Sequence, residues 1–165
     1  MDIDSLRKER NEARESIDKI ELDLALGEVY RSSHKLDSAH FYFERAADFA
    51  TEMGYASPQA LAFYGLGEVA YERSNGLDAI TYLNKALAIE EGLDAAIELE
   101  IYNIMGVVYL RFGEGDKAIL FFDKALAIKQ EARAISGESY EFLYNNKGIT
   151  YADLGMYDSA SYKHQ

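Results

Sequence analysis

This 165-residue chain has three histidines, His34, His40 and His164, the residue type most often used for acid–base work and metal ligation. A general base, a proton relay or a zinc-type centre would be built around them. Their positions argue against it. His34 falls in an expected turn, His40 early on a helix and His164 at the chain end, so no two converge. No histidine pairs with a glutamate at the spacing of a zinc-binding helix, and no glycine loop cradles phosphate. Gly65-Leu66-Gly67 is the only close glycine pair on an expected helix and does not fit a dinucleotide fingerprint. There are no cysteines, which excludes disulfides and thiolate metal ligands. The many acidic residues read as solvated helix faces. The expectation is therefore no catalytic residue, no cofactor and no metal.

Charge narrows the partners. Against 29 acidic residues stand 17 basic ones, a net charge of −12, and the densest basic run is the mixed Arg7-Lys8-Glu9-Arg10. Phosphate backbones and anionic membranes need a clustered cationic face, so neither nucleic acid nor membrane is expected to bind. A basic or amphipathic protein segment is favoured over an acidic one. The start, MDIDSLRKER, has no apolar signal region, and no apolar run approaches membrane-span length. These features lead to the expectation of a soluble, cytoplasmic protein.

The elements that would carry a binding surface are set by a repeat. Gly27, Gly67, Gly106 and Gly148 are 40, 39 and 42 residues apart. Twelve residues after each stands Ala39, Ala79, Ala118 or Ala160, and seven further on Ala46, Ala86 or Ala125. Phe43, Leu83 and Phe122 lie between the two alanines, and Lys-Ala-Leu-Ala-Ile occurs at both 85–89 and 124–128. Periods of this length mark stacked supersecondary units. One helix pair per period accounts for the pattern. Gly and Ala sit where two helices approach closely, and the bulky residue of the second helix plugs into the first. Tyr30, Tyr109 and Tyr151 fill the space three residues after their glycines; the second period has Ala70 there, with Tyr71 beside it.

The remaining glycines fall between helices. Gly76, Gly113, Gly115 and Gly155 are expected in the turn within a pair, and Gly54, Gly92 and Gly137 between pairs, leaving Gly65 unassigned. Ser57-Pro58 reads as an N-cap followed by a first-turn proline. Asp37, Asp78, Asp116 and Asp158 enter the first turn of a second helix, the favourable end of its dipole. Leu6, Ala13, Ile17, Ile20 and Leu24 continue one apolar stripe, so a single leading helix is expected over 5–33, with Asp4 or Ser5 placed to cap it. The other helices are expected over 36–53, 58–73, 77–91, 94–112, 116–133, 137–154 and 157–164. No strand is needed.

The pattern resembles the tetratricopeptide repeat. Its Leu-Gly pair, aromatic, Ala, Phe and Ala are matched by Leu26-Gly27, Tyr30, Ala39, Phe43 and Ala46. They recur as Leu66-Gly67, Ala79, Leu83 and Ala86, then as Met105-Gly106, Tyr109, Ala118, Phe122 and Ala125. A fourth copy begins at Lys147-Gly148 and runs through Tyr151, Gly155, Tyr157 and Ala160. The usual period is about 34 residues, and the closing proline is absent here. The long period is similar to that of Rap-type bacterial regulators, kinesin light chains and the sensory segments of some bacterial signalling proteins.

The resemblance implies an all-α fold, an α-solenoid in which antiparallel helix pairs stack into a right-handed superhelix. The division expected is one domain over 1–165. Residues 1–19 form a leading extension, and repeats cover about 20–56, 57–93 and 94–136 with a truncated fourth over 137–165. It also implies that first helices line a concave wall. At 100° per residue, positions three before, one after and four after each glycine share one helix face. The candidate groove is then Leu24, Tyr64, Asn103 and Asn145; Glu28, Glu68, Val107 and Ile149; and Arg31, Tyr71 and Leu110, with Ala152, and with Glu72 and Arg111 alongside. Val107, Leu110 and Ile149 have a plainer reading as packing between neighbouring first helices, Tyr71 as a displaced core aromatic, and the asparagines and glutamates as solvated residues. The Lys-Asn-Arg clamp used by chaperone-tail-binding relatives is absent, since Leu24, Glu28, Tyr64 and Glu68 stand on that face.

The expected function is a non-catalytic protein- or peptide-binding scaffold or sensory module, part of a larger regulator. The alternative is a structural oligomerisation module, a homodimer formed through residues 137–165, where Phe142, Tyr144 and Tyr151 would be left partly uncovered. A third reading is a sensor for a small molecule held between helix pairs.

Overall fold

The computed structural model describes residues 3–12, 16–89, 93–131 and 138–155. Eight helices make up the described residues, and none of these residues is in a strand. They are α1 (Ile3–Glu12), α2 (Ser16–Ser32), α3 (Leu36–Met53), α4 (Ala56–Glu72), α5 (Gly76–Leu87), α6 (Ala95–Arg111), α7 (Gly115–Glu131) and α8 (Glu138–Asp153). The chain divides into two compact units, Met1–Leu93 carrying α1 to α5 and Asp94–Gln165 carrying α6 to α8. The expected helix over 157–164, and Gly92, Gly137, Tyr157, Asp158 and Ala160, lie outside the described residues.

Within each unit the repeat glycines meet the bulky residues expected of them. A Cβ on Gly27 would stand 2.7 Å from the Phe43 ring, and one on Gly67 2.7 Å from Leu83 Cγ. A Cβ on Gly106 would reach Phe122 Cδ1 at 2.7 Å. Such distances are below any real packing contact, so a glycine is required for the helices to lie this close. Gly65, which the repeat pattern leaves over, has the same role: its Cβ would be 2.6 Å from Phe43 Cζ. Phe43 is thus enclosed by backbone of α2 on one side and α4 on the other. Ala39, Ala46, Ala79, Ala86, Ala118 and Ala125 are all fully buried.

The turn within each pair uses one left-handed residue. His34, Ser74, Gly113 and Gly155 have φ of 55°, 61°, 73° and 72°, and recur at the repeat interval. Only the last two are glycine; Gly76 and Gly115, expected in the turn, instead open α5 and α7. Gly54 ends α3 at φ 71°, with its own N–H and that of Tyr55 bonded back to Thr51 and Ala50 carbonyls. Asn75 and Asp94 cap α5 and α6 by accepting from the amides of Asp78 and Ile97.

Three local expectations are corrected. The single helix over 5–33 is two helices, α1 and α2, packed on one another. In one continuous helix Arg10 and Asp23 would be about 20 Å apart, whereas Arg10 Nε lies 3.0 Å from Asp23 Oδ1. α1 begins at Ile3, so Asp4 and Ser5 lie in its first turn rather than at the residue that precedes it. Ser57 is not an N-cap: α4 begins at Ala56 after Tyr55. Pro58 occupies the first turn, where its missing N–H has no helical acceptor to lose.

Candidate protein-binding faces

In the first unit α2 and α4, the first helices of two successive pairs, lie side by side. Four of the seven candidate residues there form one ion cluster. Arg31 makes a two-pronged contact with Glu28, Nε to Oε2 at 3.0 Å and Nη2 to Oε1 at 2.8 Å. Its Nη1 crosses to α4, 2.7 Å from Glu72 Oε1 and 3.4 Å from Glu68 Oε1. One guanidinium therefore faces three carboxylates, a formal charge of −2 summed over these four side chains. Burial pulls the Arg31 pKa down, but the Glu28 hydrogen bonds, the Glu68 charge and the Glu72 hydrogen bond outweigh it, and the net shift is upward. The exposed His34 ring lies with Nδ1 4.0 Å from Glu72 Oε2. Leu24 is half-buried and packs on the core, and Tyr64 and Tyr71 are also half-buried.

Because these pairs are partly solvated, they contribute modestly to folding. Arg31→Ala is expected to cost about 1 kcal/mol in low salt, through repulsion among Glu28, Glu68 and Glu72. The loss should shrink as salt is added. Thermal melts across a salt series check this; a loss independent of salt would mean the packing of the Arg31 stem matters more than its charge.

In the second unit α6 and α8 carry the candidates. Asn103 Oδ1 accepts from Asn146 Nδ2 at 3.1 Å, a partly buried amide link between the two first helices. The residue joined to Asn103 is therefore Asn146, while Asn145 is exposed. Val107 and Leu110 are half-buried against the cluster of Leu99, Phe122 and Leu143, so packing accounts for much of their surface. Ile149, by contrast, is 53% exposed. Arg111 is also exposed. On the far side of α8, Lys147 is ion-paired with Asp123 and lies over the Tyr151 ring at 5.6 Å. Among the described residues no group of three histidine or acidic side chains is arranged to hold a metal.

One site escapes the reading of the sequence. Asp23 is fully buried and held by two arginines. Arg10 approaches with Nε at 3.0 Å and Nη2 at 3.4 Å, while Arg45 bonds through Nε at 2.8 Å and through Nη2. Its signal lies in the repeat. Four residues before the glycines stand Asp23, Phe63 and Tyr102, and eighteen after them Arg45, Lys85 and Lys124. Lys85 Nζ sits 5.3 Å from the Phe63 ring centre and Lys124 Nζ 5.3 Å from that of Tyr102. Every second helix thus sets a cation over the same position of the first helix. In the first repeat a carboxylate replaces the ring.

Among the described residues no helix is long and apolar enough to cross a membrane. No curated protein matches the chain. Among solved structures, it is similar to BtubC (BKLC) from P. vanneervenii at TM-score 0.80 and 21% identity. That match covers 90% of this chain and 61% of BtubC, so the chain spans under two thirds of that protein. The TPR-like repeats of a kinesin light chain-type protein from Podosopora anserina superpose at TM-score 0.71 and 13% identity, over 96% of this chain and 78% of theirs. YrrB, described as a TPR protein with an unusual peptide-binding site, gives TM-score 0.55 and 16% identity over 85% and 80%. At these identities the shared property is the fold. Residues 58–131 match the model of the tetratricopeptide repeat family.

Proposed function

We propose that the protein is a non-catalytic scaffold that holds a protein or peptide segment against its first helices, and that the segment is basic or amphipathic. The observation that carries this reading is the Arg31 cluster, in which three carboxylates gather around one guanidinium on the helices that carry Tyr64 and Tyr71. A lysine or arginine side chain would gain from that charge, and tyrosines provide contact area at small entropic cost. The amide link at Asn103 leaves donor and acceptor capacity for an extended backbone. YrrB supports a peptide ligand by analogy of fold.

Fluorescence anisotropy with matched lysine-rich and glutamate-rich amphipathic peptides tests the proposal. The lysine-rich peptide should bind more tightly, and the double variant Tyr64→Ala, Tyr71→Ala should weaken it at least tenfold while circular dichroism stays unchanged. Binding retained in the folded double variant sinks the reading. A second reading, self-association through residues 137–165, is favoured by Phe142 at 67% and Ile149 at 53% exposure on α8. Concentration-dependent light scattering that disappears when residues 137–165 are removed would support it.

A further inference from the structure

The helix α1 is docked on α2 and α3 through side chains of both apolar and charged type. Leu6 is its fully buried residue, 1% exposed, inserted in the cluster that contains Ile20 and Tyr30. Next to it, the Arg7 guanidinium stands 5.6 Å over the Tyr30 ring and donates to Tyr42 Oη at 3.4 Å. One turn on, Arg10 reaches the buried Asp23. Lys8, Glu9 and Asn11 face outward. A ten-residue helix is too short to persist undocked, so α1 is helical because it is bound, and Leu6, Arg7 and Arg10 are among the residues that bind it, with Ile3 packed on the same cluster.

The face beneath it is complete without α1. Arg45 already engages both oxygens of Asp23, and its guanidinium is fixed in turn over the Phe41 and Tyr42 rings at 5.0 and 4.7 Å. Removing Arg10 therefore leaves no unpaired buried charge. The carboxylate keeps accepting capacity for a second guanidinium, because an ionised Asp offers about four lone-pair sites. Only the first repeat presents a carboxylate here, since Phe63 and Tyr102 occupy the same place in the next two. With Leu6 as its fully buried apolar side chain, α1 is expected to open before α2 to α5.

We infer that this α2–α3 face is a docking site for a partner protein's helix that carries a large aliphatic residue followed by arginine one and four positions later. In the free protein α1 is its resident occupant. The chemistry of the partner is read from α1 itself: an apolar side chain for the Ile20 pocket, a cation for the Tyr30 and Tyr42 rings, and a guanidinium for Asp23. The site is distinct from the Arg31 cluster, so it stands whether or not that face binds peptide.

The test uses the full chain and a labelled synthetic peptide of residues 1–12 as probe. In the wild type the tethered α1 competes and binding is weak. Leu6→Asp in the chain should release α1, seen as fast amide exchange over 3–12 with α2 to α5 still protected, and should tighten probe binding at least tenfold. The same probe carrying Arg10→Ala should lose at least tenfold. If the chain variant loses protection throughout, Arg10→Ala in the chain is the gentler release and is expected to give the same tightening. A released, folded chain that does not bind the probe, or binds it equally without its arginine, overturns the inference. So does fluorescence transfer between two labelled chains that excess probe abolishes, since the face would then be taken by a second copy's α1.

Discussion

Gly106→Leu is expected to destabilise the second unit by about 3 kcal/mol, among the larger effects of a single substitution. The cause is local and one-sided. A Cβ at residue 106 would overlap the Phe122 ring, with Cδ1 at 2.7 Å and Cζ at 2.9 Å. Phe122 is itself fully buried beside Ala118 and Ala125, so the ring has no space to rotate into. The leucine gains about 1 kcal/mol of helix propensity over glycine. That gain is smaller than the cost of forcing α6 and α7 apart by a side chain's width. A drop in melting temperature of roughly 10 °C or more follows for a unit of this size. Amide exchange should place the lost protection in α6, α7 and α8. Gly106→Ala should fall between the two, since its single carbon meets the ring edge alone. An unchanged melting temperature for Gly106→Leu would mean that the Gly106–Phe122 approach is not what sets the spacing of these helices.

The same close approaches are why the repeat was legible from the chain alone. A helix pair at this spacing leaves no volume for a Cβ at Gly27, Gly67 or Gly106 and room only for methyl groups at the paired alanines, so the constraint is written into residue type at a fixed interval. Other features depend on tertiary position and leave a fainter mark. The break between α1 and α2 carries no glycine or proline, and the apolar stripe from Leu6 to Leu24 runs on through it, so one helix was the natural expectation. Gly65 looks dispensable until α4 is set against Phe43. The charged face around Arg31 followed from helical angle, but its closure into an ion cluster did not. Glu68 and Glu72 reach Arg31 only because α2 and α4, some forty residues apart in sequence, lie side by side. Asn146 rather than Asn145 pairs with Asn103 for a similar reason: the rotation of α8 is set by burying Leu143 and Thr150. Asp23 was hidden by its type. In a strongly acidic chain an aspartate reads as a solvated residue, and its departure from the ring at Phe63 and Tyr102 shows only when the repeats are aligned from their glycines.

Asp23→Ala is expected to cost the first unit about 3–5 kcal/mol, the range for removing one partner of a buried ion pair. The substitution does more than delete two hydrogen-bonded contacts. It leaves Arg10 and Arg45 converging on an apolar gap with no counter-charge, and each must either swing to solvent or pull water inward. Arg45 is held by its stacking on Phe41 and Tyr42, so its retreat also disturbs that aromatic layer. Arg10 has no such anchor and takes α1 with it. The repeat supplies its own control, because the second and third repeats place an aromatic ring under the same cation. Asp23→Phe should therefore restore a surface for the Arg45 guanidinium and recover part of the stability of α2 to α5. It offers Arg10 no carboxylate, so α1 should remain unprotected. Chemical denaturation and site-resolved exchange separate the two effects: global loss with Asp23→Ala, and loss confined to residues 3–12 with Asp23→Phe. A cost below about 1 kcal/mol for Asp23→Ala, in the range of exposed pairs, would show that the two arginines hold their positions without the carboxylate. Equal exchange over α1 in both variants and the wild type would remove Arg10 from the docking of that helix.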